Sequence, residues 1–522
     1  MSSVAGARHK PAPATGCGIA SSEFRPDHGC MIATARRQGM VVTPRSVWSR
    51  LCVWETVVGL AVFLLLVLNH SRQLTSDSYV ALAAGRQIWS HGIPTTNTMT
   101  LVSAGRAWID QQWLGQLLLY GTWRAGGYAA VTVVNGGLTA LAFVIVYHLM
   151  AMRGASAGRA LKWTTLAVAG TMVDVSPRTQ DGAYVLFAFL LLLVMLDDGR
   201  PSRRWAAAAL GLLVLWANVH GSVLVGIGVL AWHCAVRAVR VQDGLIRLRY
   251  ITVGALAPLT IFVTPYGADI IGYYRSVLGN GAIRDYSAEW QPALPPSPAS
   301  VGVLCVLAAV TAAVVIAWRR GVVPDLELGG MSIVLAVAAL ASVRWGAWAS
   351  MVGVVLAADL LNRAQPATRT DGRPRAAVVA AGAGLVVVVV VVLTGASAVA
   401  FTNEAPQGAI QVATRYALAH PQARVLADDR SASALLWQSP ALAGRVSMDG
   451  RLEIYPQQDV RRWAAYILAR PGSVGLARGY QVLVASTGNA ALCDELRGLD
   501  RARVIYDGSD GLVVVRAPPA TA

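Results

Sequence analysis

Apolar residues in this chain gather in long runs with short polar breaks, a pattern that predicts helices crossing a bilayer. About eleven runs stand out, at 54–70, 128–150, 163–177, 181–196, 205–219, 222–236, 250–265, 299–317, 328–343, 346–361 and 377–401. Several fall short of the roughly 20 residues that cross a bilayer of about 30 Å. Tight turns separate the third run from the fourth and the fifth from the sixth. Three longer segments lie between or after the runs, at about 71–127, 265–298 and 402–522. The first carries Trp89, Trp108, Trp113 and Trp123 and an apolar stretch from Trp113 to Tyr120, which suits helices lying along a membrane surface. The second is rich in Tyr, Trp and Pro.

The tail, 402–522, has a different rhythm. Arg424–Asp428 is a short strand, Ser431–Trp437 a helix and Gln481–Ser486 a buried strand. Asn489–Leu499 is a second helix with Asn489 as N-cap. Ala502–Tyr506 and Leu512–Arg516 alternate like a hairpin around Asp507-Gly508-Ser509-Asp510-Gly511. The expected fold is therefore an α-helical polytopic membrane protein of about eleven transmembrane helices. A small C-terminal extracytoplasmic α/β domain follows it. The domains divide at 1–50, 51–401 and 402–522.

Composition sharpens this picture. Hydrophobic residues make up 55% of the 522 residues and charged residues 14%, where a soluble protein carries roughly 25% charged. That deficit excludes an ordinary soluble enzyme. The net charge of +16 suggests a nucleic-acid partner, but its placement does not. With the N-terminus inside, 23 basic residues fall on the inner side of the spans and eight on the outer, with 13 more after residue 401. Such a bias orients a membrane protein and brings it against anionic lipids. It argues for no nucleic acid, a cytoplasmic N-terminus and an extracytoplasmic C-terminus.

Residues 1–50 read as a disordered basic segment, with Met31 or Met40 as alternative starts and no cleavable signal peptide. Of the 44 basic residues only Lys10 and Lys162 are lysine, a codon bias that suggests a high-GC bacterium and its plasma membrane. The six cysteines form no CxxC, so neither a disulfide framework nor a zinc site is expected. There is no GxGxxG and no P-loop. Val386–Val392 reads as a lipid-facing anchor.

Ionisable groups at the outer ends of the spans carry the chemical interest. Asp77, in Ser76-Asp77-Ser78-Tyr79, begins the first outer loop. It is either a general base on an acceptor hydroxyl or, with Ser76, the cap of a helix starting near Tyr79. Asp110 lies in Trp108-Ile109-Asp110-Gln111-Gln112-Trp113 of the same loop. Span ends supply Asp174, Asp181, Arg178, Asn218, His220 and Arg344, and the second loop supplies Glu289. Arg178 and Arg344 either clamp a phosphate or snorkel at span ends. His220 is a base, a metal ligand or a packing residue. Glu289 with Asp77 or Asp110 is the one candidate pair for a divalent cation. Asp428-Asp429-Arg430 and Asp449-Gly450-Arg451 read as solvated turns.

The pattern resembles the GT-C class of membrane glycosyltransferases. It resembles in particular the protein-mannosyltransferase-like branch and bacterial members of uncharacterised function. The shared parts are an acidic residue after the first span, Asp77-Ser78-Tyr79, and Gly92-Ile93-Pro94 with Trp108-Ile109-Asp110 and Trp113-Leu114. Trp216-Ala217-Asn218-Val219-His220-Gly221, Pro265-Tyr266-Gly267, Glu289-Trp290 and Asp449-Gly450-Arg451 with Tyr455 also match. The likeness spans most of 54–460 as scattered short motifs. It departs where that branch often has two adjacent acidic residues, since Ser78 follows Asp77. The tail also lacks a WWDYG-like motif.

The resemblance implies a GT-C-like fold and an inverting sugar transfer from a polyprenyl-phosphate donor. The acceptor would be a cell-envelope glycan, lipid or protein, the sugar a hexose or pentose. In this reading Asp77 and Asp110 are catalytic. Tyr79, Arg178, Asn218, His220, Glu289 and Arg344 bind substrate. No cofactor is expected beyond the divalent cation weighed above. Two other readings stay open: a transporter or flippase of lipid-linked glycans, and a scaffold acting through the tail. No internal repeat supports the former.

Overall fold

The computed structural model describes residues 57, 59, 61–62, 74–171, 176–365 and 405–516. The expectations for 1–50, for the first and last spans, and for Asp174, Cys17, Cys30, Cys52 and Val386–Val392 lie outside these residues. The other nine runs each coincide with a described helix.

Helix α1, Ser76–His91, opens the first loop region. Thr75 is its N-cap, and the Ser78 hydroxyl accepts from the Thr75 N–H at 3.3 Å. Asp77 is therefore not the cap. It sits in the first turn, where the helix dipole favours a negative charge. Gly92, at φ 83°, ends the helix in a conformation that only glycine adopts freely.

Helix α2, Trp113–Met152, is broken at Gly126 and Gly127, where Gly127 has φ 63°. The break separates the aromatic segment 113–125 from the apolar run behind it. Helices α3 (Ala157–Thr171), α4 (Gln180–Met195), α5 (Arg203–Val219), α6 (Val223–Arg240) and α7 (Gly244–Leu256) follow. A 3-10 stretch, Ala257–Phe262, extends α7. Short helices α8 (Ile270–Gly279) and α9 (Gly281–Tyr286) cross the second loop before α10 (Val301–Trp318), α11 (Leu326–Ala341) and α12 (Gly346–Ala364).

Five described segments are long and apolar enough to cross a membrane: Trp113–Met152, Val223–Arg240, Gly244–Phe262, Val301–Trp318 and Val343–Ala364. Gln180–Met195 and Leu326–Ala341 are shorter apolar helices. Ile333, Val334 and Val337 on α11 are 61–68% exposed, a surface suited to lipid rather than water. The chain is a multi-pass membrane protein.

Successive helices run up and down, so alternate helix ends meet. One end collects 176–181, 219–223, 262–290 and 342–346. The other holds two ionic clusters. Arg153 pairs with Asp325 at 3.4 Å and Asp359 at 3.6 Å. Buried His233 joins Asp197 at 3.2 Å and also bonds Glu327.

The tail contains α13 (Gln407–Ala419), β1 (Val425–Ala427), α14 (Asp429–Gln438), α15 (Gln457–Ile467), β2 (Val482–Ser486), α16 (Ala490–Arg497), β3 (Ala502–Asp507) and β4 (Gly511–Arg516). Its sheet has the order β1-β2-β4-β3. Strands β1 and β2 pair in parallel, with Val425 opposite Val482, while β4 is antiparallel to both β2 and β3. The expected hairpin is β3–β4, and the Asn489 side chain caps α16. Helices α13 and α15 were not among the expected elements.

Asp428 is buried rather than solvated. Its carboxylate accepts from the Ser431 N–H at 2.9 Å and the Ser486 N–H at 2.7 Å, tying α14 to β2.

Tail and first loop share a core. Tyr79, Leu82, Trp108, Leu119 and Tyr120 pack with Ala409, Leu435, Trp437 and Val484. Arg86 donates to the Trp437 and Leu436 carbonyls at 2.6 and 2.8 Å. The Ser76 and Ser433 hydroxyls meet at 2.7 Å. The Leu101 and Val102 N–H groups donate to the Val446 and Ser447 carbonyls.

Candidate active site

A cavity of about 1010 Å³, open to solvent, lies where the first loop, the helix ends and the tail converge. Asp77, Asp110, Arg178, His220, Glu289 and Arg344 all line it. These residues span more than 260 positions of sequence, and the alternation of the helices brings them together.

Arg178 is the hub. Its side chain is 8% exposed, and Nη1 donates to Glu289 Oε1 at 2.6 Å and to Asp77 Oδ2 at 3.2 Å. Arg344 Nη1 donates to the other Glu289 oxygen at 2.8 Å and lies over the Trp290 ring at 5.2 Å. Glu289 thus holds two guanidiniums side by side. The Asp77 side chain is 54% exposed, so a substrate can reach it.

His220 is buried, and its Nδ1 lies 2.8 Å from the Ser222 hydroxyl. Burial and the neighbouring Arg344 and Arg178 cations hold its pKa well below the usual histidine range, against the pull of Glu289. It is neutral at pH 7.

Two predicted binding residues lie outside the cavity lining. Asn218 accepts from the Trp113 indole at 2.8 Å and donates to the Val214 and Val263 carbonyls at 2.8 and 2.9 Å. It locks α2, α5 and the α7 extension together. Tyr79 is 1% exposed and packs in the core shared by loop and tail. Both sit within two residues of a lining residue, which is as close as a motif read from sequence brings them.

The cavity floor holds what the sequence reading missed. Asp110 Oδ1 accepts from Gln116 Nε2 at 2.9 Å, and Gln111 Nε2 donates to the Ala217 carbonyl at 2.7 Å. Those bonds fix both amides and leave Asp110 Oδ2, Gln111 Oε1 and Gln116 Oε1 buried with no hydrogen-bond donor among the described residues. Arg451 brings a cation from the tail. It pairs with Asp449 at 2.7 Å and covers the Trp108 ring at 4.3 Å. Its Nη1 is also buried without a partner among the described residues. The Asp449-Gly450-Arg451 segment is thus part of the cavity wall and not a solvated turn; its acid is fully buried.

Glu453, on the 3-10 turn Leu452–Ile454, lines the same wall. Burial pushes Asp110 up to about 7, with Arg451 opposing and Glu453 adding to the rise. Burial likewise raises Glu453 to about 7, countered by its own backbone amide and Arg451.

The site does not fit a resident divalent cation. Both Glu289 oxygens face arginines, and Arg178 stands between Asp77 and Glu289. No three His, Cys, Asp or Glu side chains gather as a metal site among the described residues.

No protein family matches the chain, and no curated protein matches it. Among solved structures it is similar to the oligosaccharyltransferase of Archaeoglobus fulgidus in the apo form, at 11% identity and TM-score 0.46, covering 85% of this chain and 71% of that one. It is also similar to oligosaccharyltransferase AglB of Archaeoglobus fulgidus in complex with an inhibitory peptide and a dolichol-phosphate. There the identity is 11% and the TM-score 0.47, over 84% of this chain and 71% of that one. At that identity and TM-score the likeness says nothing of this chain's activity.

Proposed function

We propose that this protein is a membrane glycosyltransferase of the GT-C type. It moves a sugar from a polyprenyl-phosphate-linked donor to an extracytoplasmic glycan, lipid or protein acceptor. One observation carries the reading. The cavity is lined by three buried oxygens, on Asp110, Gln111 and Gln116, that have no side-chain donor among the described residues, and by the cations Arg178, Arg344 and Arg451. Buried acceptors without donors are costly, and a ring of sugar hydroxyls supplies those donors. Guanidiniums match a phosphate bidentately. A sugar phosphate satisfies both sets at once.

The reaction then follows. The Asp77 carboxylate takes the acceptor's hydroxyl proton. The acceptor oxygen bonds to the anomeric carbon as the bond from that carbon to the phosphate oxygen breaks, inverting the centre. The polyprenyl phosphate leaves with the electron pair, its charge met by Arg178 and Arg344. Burial raises the Asp110 carboxyl to about 7, so its Oδ2 donates to a sugar hydroxyl below that pH and accepts from one above it, beside the acceptors of Gln111 and Gln116.

The test is Asp77→Asn in vesicles supplied with polyprenyl-phosphate sugars. Transfer is expected to fall by about 10²–10⁴-fold, the range for a general base. Unchanged turnover at normal protein levels removes Asp77 from the mechanism.

A further inference from the structure

The helix ends opposite the cavity carry a second feature. Helix α3 places Arg159, Lys162, Trp163 and Leu166 at positions i, i+3, i+4 and i+7, which is one face of a helix. That face, with Ser156, Gly158 and Leu361 of α12, lines an open hollow of about 1000 Å³. At 1.5 Å per residue the stripe runs about 10 Å from cation to aliphatic side chain. Its order, charged then aromatic then aliphatic, is that of a membrane crossed from headgroups inward.

The charge balance at this end is unequal. Asp197 and Glu327 at this end are taken up by His233 and Arg237, which leaves Asp325 and Asp359 to weigh. Asp325 pairs with Arg153 and caps α11, and Asp359 pairs with Arg153 and Arg363. Arg159 and Lys162 have no carboxylate partner among the described residues. Among the described residues Arg159 Nη2 donates to the Gln365 carbonyl at 3.3 Å, and its Nη1 is buried with no acceptor. A buried guanidinium nitrogen beside a lysine and a tryptophan calls for an anion that also has an apolar part.

We infer that this hollow binds an anionic glycerophospholipid, with its phosphate between Arg159 and Lys162 and its acyl chains along Trp163, Leu166 and Leu361. The site is separate from the transferase cavity and does not depend on the reading of that cavity.

Native mass spectrometry of the full-length protein in detergent tests it, with phosphatidylglycerol, phosphatidylcholine and inorganic phosphate as probes. Wild type is expected to retain phosphatidylglycerol over phosphatidylcholine. Arg159→Gln/Lys162→Gln should bind phosphatidylglycerol about thirty-fold more weakly, two cations at about 1 kcal/mol each. Lys162→Gln, an exposed substitution, should weaken it about five-fold and serves where the double variant folds poorly. Equal retention of the two lipids overturns the proposal, as does a Lys162→Gln variant with unchanged phosphatidylglycerol affinity. Full displacement of the lipid by millimolar inorganic phosphate also overturns it, in favour of a soluble anion.

Discussion

The guanidinium of Arg178 bonds Glu289 at 2.6 Å and Asp77 at 3.2 Å through the same nitrogen. The proposed base is therefore held by the same group proposed to meet the leaving phosphate. Arg178→Lys keeps the charge and loses the planar fork. Transfer should fall by about 10²–10³-fold, the cost of one preorganised charge-stabilising donor. Glu289→Gln should cost less, because both arginines keep their charge. Donor turnover in vesicles, normalised to protein, checks both.

The acids on the cavity floor make stability depend on pH in a defined sense. Asp110 and Glu453 stand at about 7, above their ordinary values of 3.8 and 4.5. Between those limits the folded chain binds more protons than the unfolded one, so stability falls as pH rises from about 4 to about 7. Asp110→Asn removes one of the two contributions. Its Tm relative to wild type should be higher at pH 8 than at pH 4.5, as thermal unfolding in detergent will show. A Tm difference independent of pH contradicts the assignment.

Gly85 has no space for a side chain. A Cβ there would lie 2.2 Å from the Gln116 carbonyl oxygen and 2.7 Å from Tyr120 Cβ. Gly85→Ala must push α1 from α2, at about 1–3 kcal/mol for overpacking. Since Gln116 lines the cavity, transfer should drop along with Tm. Gly92→Ala is a contrasting control: it strains the backbone at φ 83° and meets no neighbouring atom within 4 Å.

Asp428 accepts two buried N–H bonds, one capping α14 and one from β2. Asp428→Ala removes a cap and strands a strand amide, a loss of about 2–4 kcal/mol. Hydrogen exchange should quicken at Ser431 and Ser486 together. Exchange that changes at only one of them indicates that the two bonds are not coupled.

Much of the fold was legible because it is written in local periodicity. Nine of the eleven apolar runs coincide with described helices, and the Asp507–Gly511 turn joins the β3–β4 hairpin. Asp77, Arg178, Glu289 and Arg344 were expected together because each stands at or beside the end of an apolar run, and they line one cavity. What was not legible depends on contacts distant in sequence. Asp428 and Asp449 look like turn acids because their burial comes from β2 and from the first loop. Glu453 shows no local signal at all, since only the fold puts it across from Asp110. Tyr79 and Asn218 adjoin true lining residues, but helical rotation turns them into packing.

The core shared by loop and tail has a consequence for biosynthesis. Ser76 and Ser433 touch although 357 residues separate them. At about 5–20 residues per second, a ribosome makes the second partner roughly 20–70 s after the first. The early loop waits that long with Leu82 and Trp108 lacking their packing partners. Arg451 and Glu453 are also late arrivals, so no truncated chain holds a finished cavity. Premature termination would leave a product with an incomplete cavity and an uncovered apolar face on its first loop, a surface that a membrane protease can recognise.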